Sequence, residues 1–149
     1  MTWKQLQAAR RIKPHRTSKA ELDELRAAVE VKLRDAAVQG VSSDTRFVTA
    51  YGAALLLAKI AIACAGYRLD PKSGGHHKLT FEALPLAVGV NVKSLANYFE
   101  ICRRKRNEID YDRAHVASEA DAEEIVRRAR ELRAMVEEWI ASHHPTLAK

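Results

Sequence analysis

The residues best suited to chemistry lie in the run 97–112. Val92, Leu95, Phe99, Cys102 and Ile109 recur at three- and four-residue spacing, so on a helix they share one face, and Arg106 falls in the same row. A guanidinium in a core-facing row must be ion-paired, bound to an anion or left at a wet interface, because an unpaired buried charge costs on the order of several kcal/mol. Asp110, one turn on, is the nearest local partner. The plain reading is therefore an ion pair, or an Arg snorkelling at the edge of the core. The functional reading is an anion site.

Two other groups could join it. Arg103, Arg104, Lys105 and Arg106 form a basic run in mid-helix, with Glu100 and Glu108 each four residues from Arg104. Ion pairs are therefore expected around Arg104, leaving Arg103 and Lys105 less neutralised. Such a run is either a solvated face or a contact for nucleic acid or nucleotide. His76 and His77 close the Gly-rich stretch 72–78. Its spacing does not fit a phosphate-cradling loop, which needs Gly, four residues, then Gly-Lys-Ser/Thr. Adjacent histidines without carboxylate or cysteine neighbours are poor chelators, so no metal and no cofactor is expected. The pair reads as a solvated loop, or as bases if the site cleaves RNA.

Arg106-Asn107-Glu108-Ile109-Asp110-Tyr111 resembles the signature of the HEPN superfamily, whose fourth helix typically reads Arg, often Asn, a few residues, then His. Arg106 and Asn107 match, and Tyr111 stands at the place of the His. In a second register, that of HEPN proteins paired with nucleotidyltransferases, Arg104 takes the Arg, Ile109 the His and Tyr111 the Tyr. Further upstream, Arg46-Phe47, Ala50-Tyr51, Gly66-Tyr67-Arg68 and Gly75-His76-His77 are similar to HEPN proteins with a tyrosine-rich second helix and a glycine-histidine turn. The resemblance covers residues 42–112.

It implies a helical bundle that dimerises with its motif helices together, and in active members a metal-independent ribonuclease. There His moves the proton of a ribose 2′-hydroxyl, and Arg holds the extra charge of the phosphorane. Tyr111 is a poor substitute base, since an unperturbed phenol has a pKa of about 10 against about 6.5 for imidazole. The expectation is thus a dimeric module binding RNA, a nucleotide or a partner protein, with Arg106 and Asn107 at the contact and little or no catalysis. The alternative is a ribonuclease using Arg106 with Tyr111 or His115, as the toxin of a toxin–antitoxin pair with a nucleotidyltransferase. A third reading makes Tyr111 the hydroxyl that such a partner modifies.

The elements around these residues are those of an all-α domain. The chain has 149 residues, 47% of them apolar, enough for one core. Ala, Leu, Glu, Lys and Arg dominate over β-branched alternation. Five main helices and a short N-terminal one are expected. Trp3, Leu6, Ala9 and Ile12 suggest that first helix, stopping at Pro14. Ser18, Ser42 or Ser43, Thr80, Asn91 and Ser118 are the cap candidates for the rest.

Residues 47–65 are nearly uncharged, but Thr49, Gly52 and Lys59 and the abundance of Ala make them a buried central helix rather than a membrane span. Lys4, Arg10, Arg11, Lys13 and Arg16 put five of the six net positive charges in residues 1–17, an arm packed through Trp3 or held to phosphates. Cys64 and Cys102, on apolar faces, pack as small hydrophobes and suit a reducing cytoplasm. No signal-peptide pattern is present.

Overall fold

The computed structural model describes residues 1–111 and 113–149; Asp112, which ends both the 97–112 run and the 42–112 resemblance, lies outside the described residues. The chain folds as an all-α bundle. Its elements in order are α1 (Trp3–Ala8), β1 (Ile12–Pro14), α2 (Lys19–Ala36), α3 (Ser43–Cys64), β2 (Tyr67–Leu69), α4 (His76–Val88), α5 (Lys93–Asp110) and α6 (Glu119–His143). A 3-10 turn, Val90–Val92, leads into α5, and another, Pro145–Leu147, follows α6.

The axis is α3, against which α2, α4, α5 and α6 all pack. Ala50, Ala53, Ala54, Ala58 and Ala61 are buried along it, and their small side chains let neighbouring helices approach closely. By length and hydropathy α3 could cross a membrane, but 72% of its most apolar window is buried inside the bundle. Caps set the starts: the Ser18, Ser42 and Ser118 hydroxyls accept from the backbone N–H of Glu21, Thr45 and Asp121, and at Ser118 the Asp121 carboxylate closes a capping box.

Two buried arginines lock the helices together. Arg46, 2% exposed, donates from Nε to the Ala36 carbonyl at 2.8 Å and from Nη1 to Glu119 at 3.1 Å, tying the end of α2 to the starts of α3 and α6. Arg26 makes a two-pronged contact to Glu137 at 2.8 and 2.9 Å and donates to the Leu147 carbonyl at 2.8 Å. Burial pushes the Cys64 and Cys102 thiols up to about 11, so both are packing groups at neutral pH.

Four local expectations give way to tertiary structure. The first helix ends at Ala8; Arg10 turns left-handed (φ 58°), and Ile12 enters β1, which pairs antiparallel with β2. Ile12 is buried from the ribbon rather than from a helix face. Gly75, left-handed at φ 66°, starts α4 five residues before Thr80, so His76 and His77 form its first turn instead of a loop. Thr80 lies inside α4, donating to the His76 carbonyl at 2.6 Å. Pro85 is likewise inside, where buried Leu79, Phe81, Ala83 and Leu84 hold the helix through the missing hydrogen bond; Gly89 (φ 114°) ends it. Asn91 falls in the 3-10 turn and does not cap α5, whose first turn continues directly from that turn.

Candidate functional site

The inward row of α5 is as the spacing implies, with Val92, Leu95, Phe99 and Cys102 buried. Arg106 continues it beyond the core. Its Nη1 lies 2.8 Å from the Asp110 carboxylate, the partner one turn on. Its Cζ lies 5.9 Å from the centre of the Tyr51 ring, a cation–π distance. Its Nε is buried and has no hydrogen-bond partner.

Tyr51 is the centre of the group. Carried on α3 and 1% exposed, it meets Phe81 of α4 edge-on at 5.6 Å, and Phe81 stacks on Phe99 of α5 at 5.5 Å. The His77 ring lies 5.9 Å from that of Tyr51, centre to centre. The Tyr51 hydroxyl is buried without a partner, and so is Oε2 of Glu100 on α5. Burial pushes the Tyr51 phenol well above its ordinary range, with Arg106 opposing that rise and Glu100 adding to it. The hydroxyl is therefore a donor at any physiological pH.

His77 is held toward its neutral form, first by burial and then by the positive charges of Arg106 and Lys59. The imidazole is thus held neutral near the buried Tyr51 phenol, within reach of the Arg106 charge. Arg103 adds a second guanidinium, paired with Glu100 at 3.0 Å. Counting Arg103, Arg106 and Lys59 against Glu100 and Asp110, the group has one positive charge in excess.

The other expected residues are dispersed. Lys105 points to α6, bonding Asp121 at 2.8 Å, and holds that carboxyl below its ordinary range. Lys105 and Arg103, expected to be the less neutralised members of the run, are both paired. Glu100 reaches Arg103 rather than Arg104, and Glu108 lies 3.7 Å from Arg113. Arg104 is exposed, with no acidic partner among the described residues. Asn107, partly buried, follows Arg106, and its carbonyl accepts from the Tyr111 N–H.

Tyr111 caps the end of α5, 81% exposed. Its side chain is outside the group around Tyr51. His115 is exposed on the connection to α6, in left-handed backbone (φ 59°). His76 is tied back to the preceding loop, its Nε2 lying 2.9 Å from the Asp70 carbonyl. Among the described residues no three His, Cys, Asp or Glu gather as metal ligands would.

Of the residues singled out in the sequence, the fold brings together Arg103, Arg106 and His77. What spacing alone did not add to them is Tyr51, Phe81, Lys59 and Glu100. Two carry a signal in the sequence: Tyr51 and Lys59 are a phenol and a charge in the Ala-rich stretch 47–65, where each needs a reason to be. Beside His77 a cavity of about 360 Å³ opens between α2, α3, β2 and the start of α4. Compared with family models, curated proteins and solved structures, the chain matches none of them.

Proposed function

We propose that the chain is a HEPN-like homodimeric module that binds RNA, gripping a backbone phosphate at Arg106, with Arg103, Lys59 and His77 around it and Tyr51 beneath. The observation that carries this reading is a pair of unpaired buried donors, the Tyr51 O–H and the Arg106 Nε–H, on neighbouring side chains. Each such atom costs about 1–3 kcal/mol when left unsatisfied. A group of them is explained by something that binds there. A phosphate accepts from the Arg106 Nε–H and from the Tyr51 O–H, and the excess positive charge favours it.

The dimer is supported by the outward side of the motif helix. Val90 (78% exposed), Ile101 (72%) and Tyr111 (81%) are large apolar groups open to solvent on or beside α5. Ser94, Asn97, Ile101, Arg104, Glu108 and Tyr111 recur at alternating three- and four-residue steps, the rhythm of a helix-to-helix seam. A second copy laid on this face covers the apolar groups and brings the two Arg106 helices together.

The test is fluorescence anisotropy of a labelled single-stranded RNA in EDTA at low salt. Arg106→Gln is expected to lose roughly tenfold or more in affinity, the scale of a charge-assisted hydrogen bond, whereas Arg34→Gln, on exposed surface near the end of α2, is expected to bind like wild type. Equal affinity in Arg106→Gln and wild type overturns the reading. Sedimentation of Ile101→Asp is expected to show monomer where wild type is a dimer.

One observation favours a second reading, a metal-independent endoribonuclease acting as the toxin of a toxin–antitoxin pair with a nucleotidyltransferase. His77, an imidazole held toward its neutral form and packed near the same Tyr51 ring as Arg106, would supply the base that position 111 lacks. In that reaction His77 takes the 2′-hydroxyl proton, the 2′-oxygen attacks phosphorus to form a 2′,3′-cyclic phosphate, the bond to the 5′-oxygen breaks with that oxygen taking a proton from water, and Arg106 holds the phosphorane charge. Cleavage in EDTA that is lost in both His77→Ala and Arg106→Ala supports this reading over binding alone.

A further inference from the structure

We propose that the cavity beside His77 is a nucleoside pocket that prefers bases bearing an exocyclic amino group, an inference that rests on the phosphate site above and names what that site reads. At about 360 Å³ the cavity is in the range of small-molecule sites and suits one nucleoside rather than a helix or strand. Its walls are apolar: Leu25, Ile62, Ala63, Leu69 and Pro71. Tyr67 completes them, and its ring is stacked on Trp3 at 4.7 Å with 19° between the planes. The N-terminal arm thereby stiffens an aromatic residue of the cavity wall, and aromatic side chains are what bases stack on.

The polar groups of the cavity are few and differ in sign by position. Glu21 lines it, and its Oε1 lies 2.7 Å from both His15 Nε2 and Thr17 Oγ1. Those two contacts hold the carboxyl below its ordinary range, so it accepts and never donates at neutral pH. No donor reaches its Oε2 among the described residues. Adenine, cytosine and guanine each present an amino group to such an acceptor. Uracil presents one N–H flanked by two carbonyls, which a carboxylate repels.

Lys59 and Arg68, exposed on the cavity's lining, have no acidic partner within ion-pair distance among the described residues and suit the phosphate end of a nucleotide. His77 belongs to both the cavity and the Arg106 group, so a base in the cavity and a phosphate at Arg106 are neighbours.

The experiment is titration of the full chain with 3′-GMP, 3′-AMP, 3′-CMP and 3′-UMP, following Ile62 methyl and Tyr67 ring resonances. The three amino-bearing nucleotides are expected to shift both and to bind roughly tenfold more tightly than 3′-UMP, the worth of one hydrogen bond to a charged group. Glu21→Gln is expected to remove most of that preference. Lys59→Gln, at an exposed position, is expected to weaken all four alike and keep it. Shifts absent for all four, or equal affinities in wild type, overturn the pocket. RNA affinity that depends on Arg106 without any shift at Ile62 or Tyr67 sinks the pocket and spares the phosphate site; shifts with the stated preference, but RNA affinity unchanged in Arg106→Gln, do the reverse.

Discussion

If Arg106 and His77 share a site, removing the guanidinium must change the imidazole's titration, and the size of the change follows from the geometry. Each group lies 5.9 Å from the centre of the Tyr51 ring, so they are at most about 12 Å apart, twice that distance. At that separation a unit charge contributes about 0.35 kcal/mol in water and about 1.4 kcal/mol at an effective dielectric of about 20. Those energies correspond to roughly 0.25 to 1 pH unit. Because a cation disfavours imidazolium, Arg106→Gln should raise the His77 pKa by that amount. Asp110, stripped of its partner, pushes in the same direction.

The assay is a pH titration of the His77 ring by NMR at low salt, with Arg34→Gln as the distant control. High salt should shrink the difference, since the separation is comparable with the Debye length at physiological ionic strength. The linked stability has a definite sign. His77 is lowered in the fold relative to about 6.5 in the unfolded chain, so its contribution is present above pH 6.5 and is lost as pH falls through the folded value. Wild type should therefore lose stability on acidification more steeply than Arg106→Gln. A His77 titration identical in the two folded proteins refutes the shared site.

Tyr51→Phe should leave stability unchanged or raise it by about 1 kcal/mol in denaturant titration, because it deletes a buried hydroxyl without a partner, and yet weaken RNA binding; a parallel loss of both would make Tyr51 a packing residue only. Phe99→Ala, at a fully buried ring stacked on Phe81, should cost about 3–5 kcal/mol by the same method. Deleting residues 1–17 should lower the melting temperature, since Leu6 and Ile12 are buried and Trp3 stacks on Tyr67, while leaving the salt dependence of RNA binding nearly as it was. Tyr111→His should create no metal-independent cleavage in an RNA assay, because position 111 is 81% exposed at the end of α5, away from the Tyr51 group; a new activity lost again on Arg106→Ala would restore position 111 to the site.

The all-α bundle and its central helix were legible because they rest on periodicity and composition, which are local. The Ser18, Ser42 and Ser118 caps could be read for the same reason. Long-range partners were not. Ile12 fits a helical spacing and is equally satisfied in a strand; only its pairing with Leu69, far along the chain, decides between them. The ion pairs expected around Arg104 failed similarly, while Arg106 has the partner expected one turn on, Asp110. Spacing on one helix favours Glu100 with Arg104, but Asp121 of another helix takes Lys105, and Glu100 turns to Arg103 at the three-residue step.

The same contrast explains why the candidate site was half visible. A cation in an apolar row is a local anomaly, and Arg106 stood out on that ground. Its surroundings come from α3 and α4, and no spacing rule links residues 51, 77 and 106. What does link them is the aromatic row running from His77 through Tyr51 and Phe81 to Phe99. That row packs three helices against one another, so it holds His77 and Arg106 each 5.9 Å from the centre of one ring without asking either to be buried in full. The Tyr51 hydroxyl is buried without a partner, and a phosphate at Arg106, as proposed above, would accept from it.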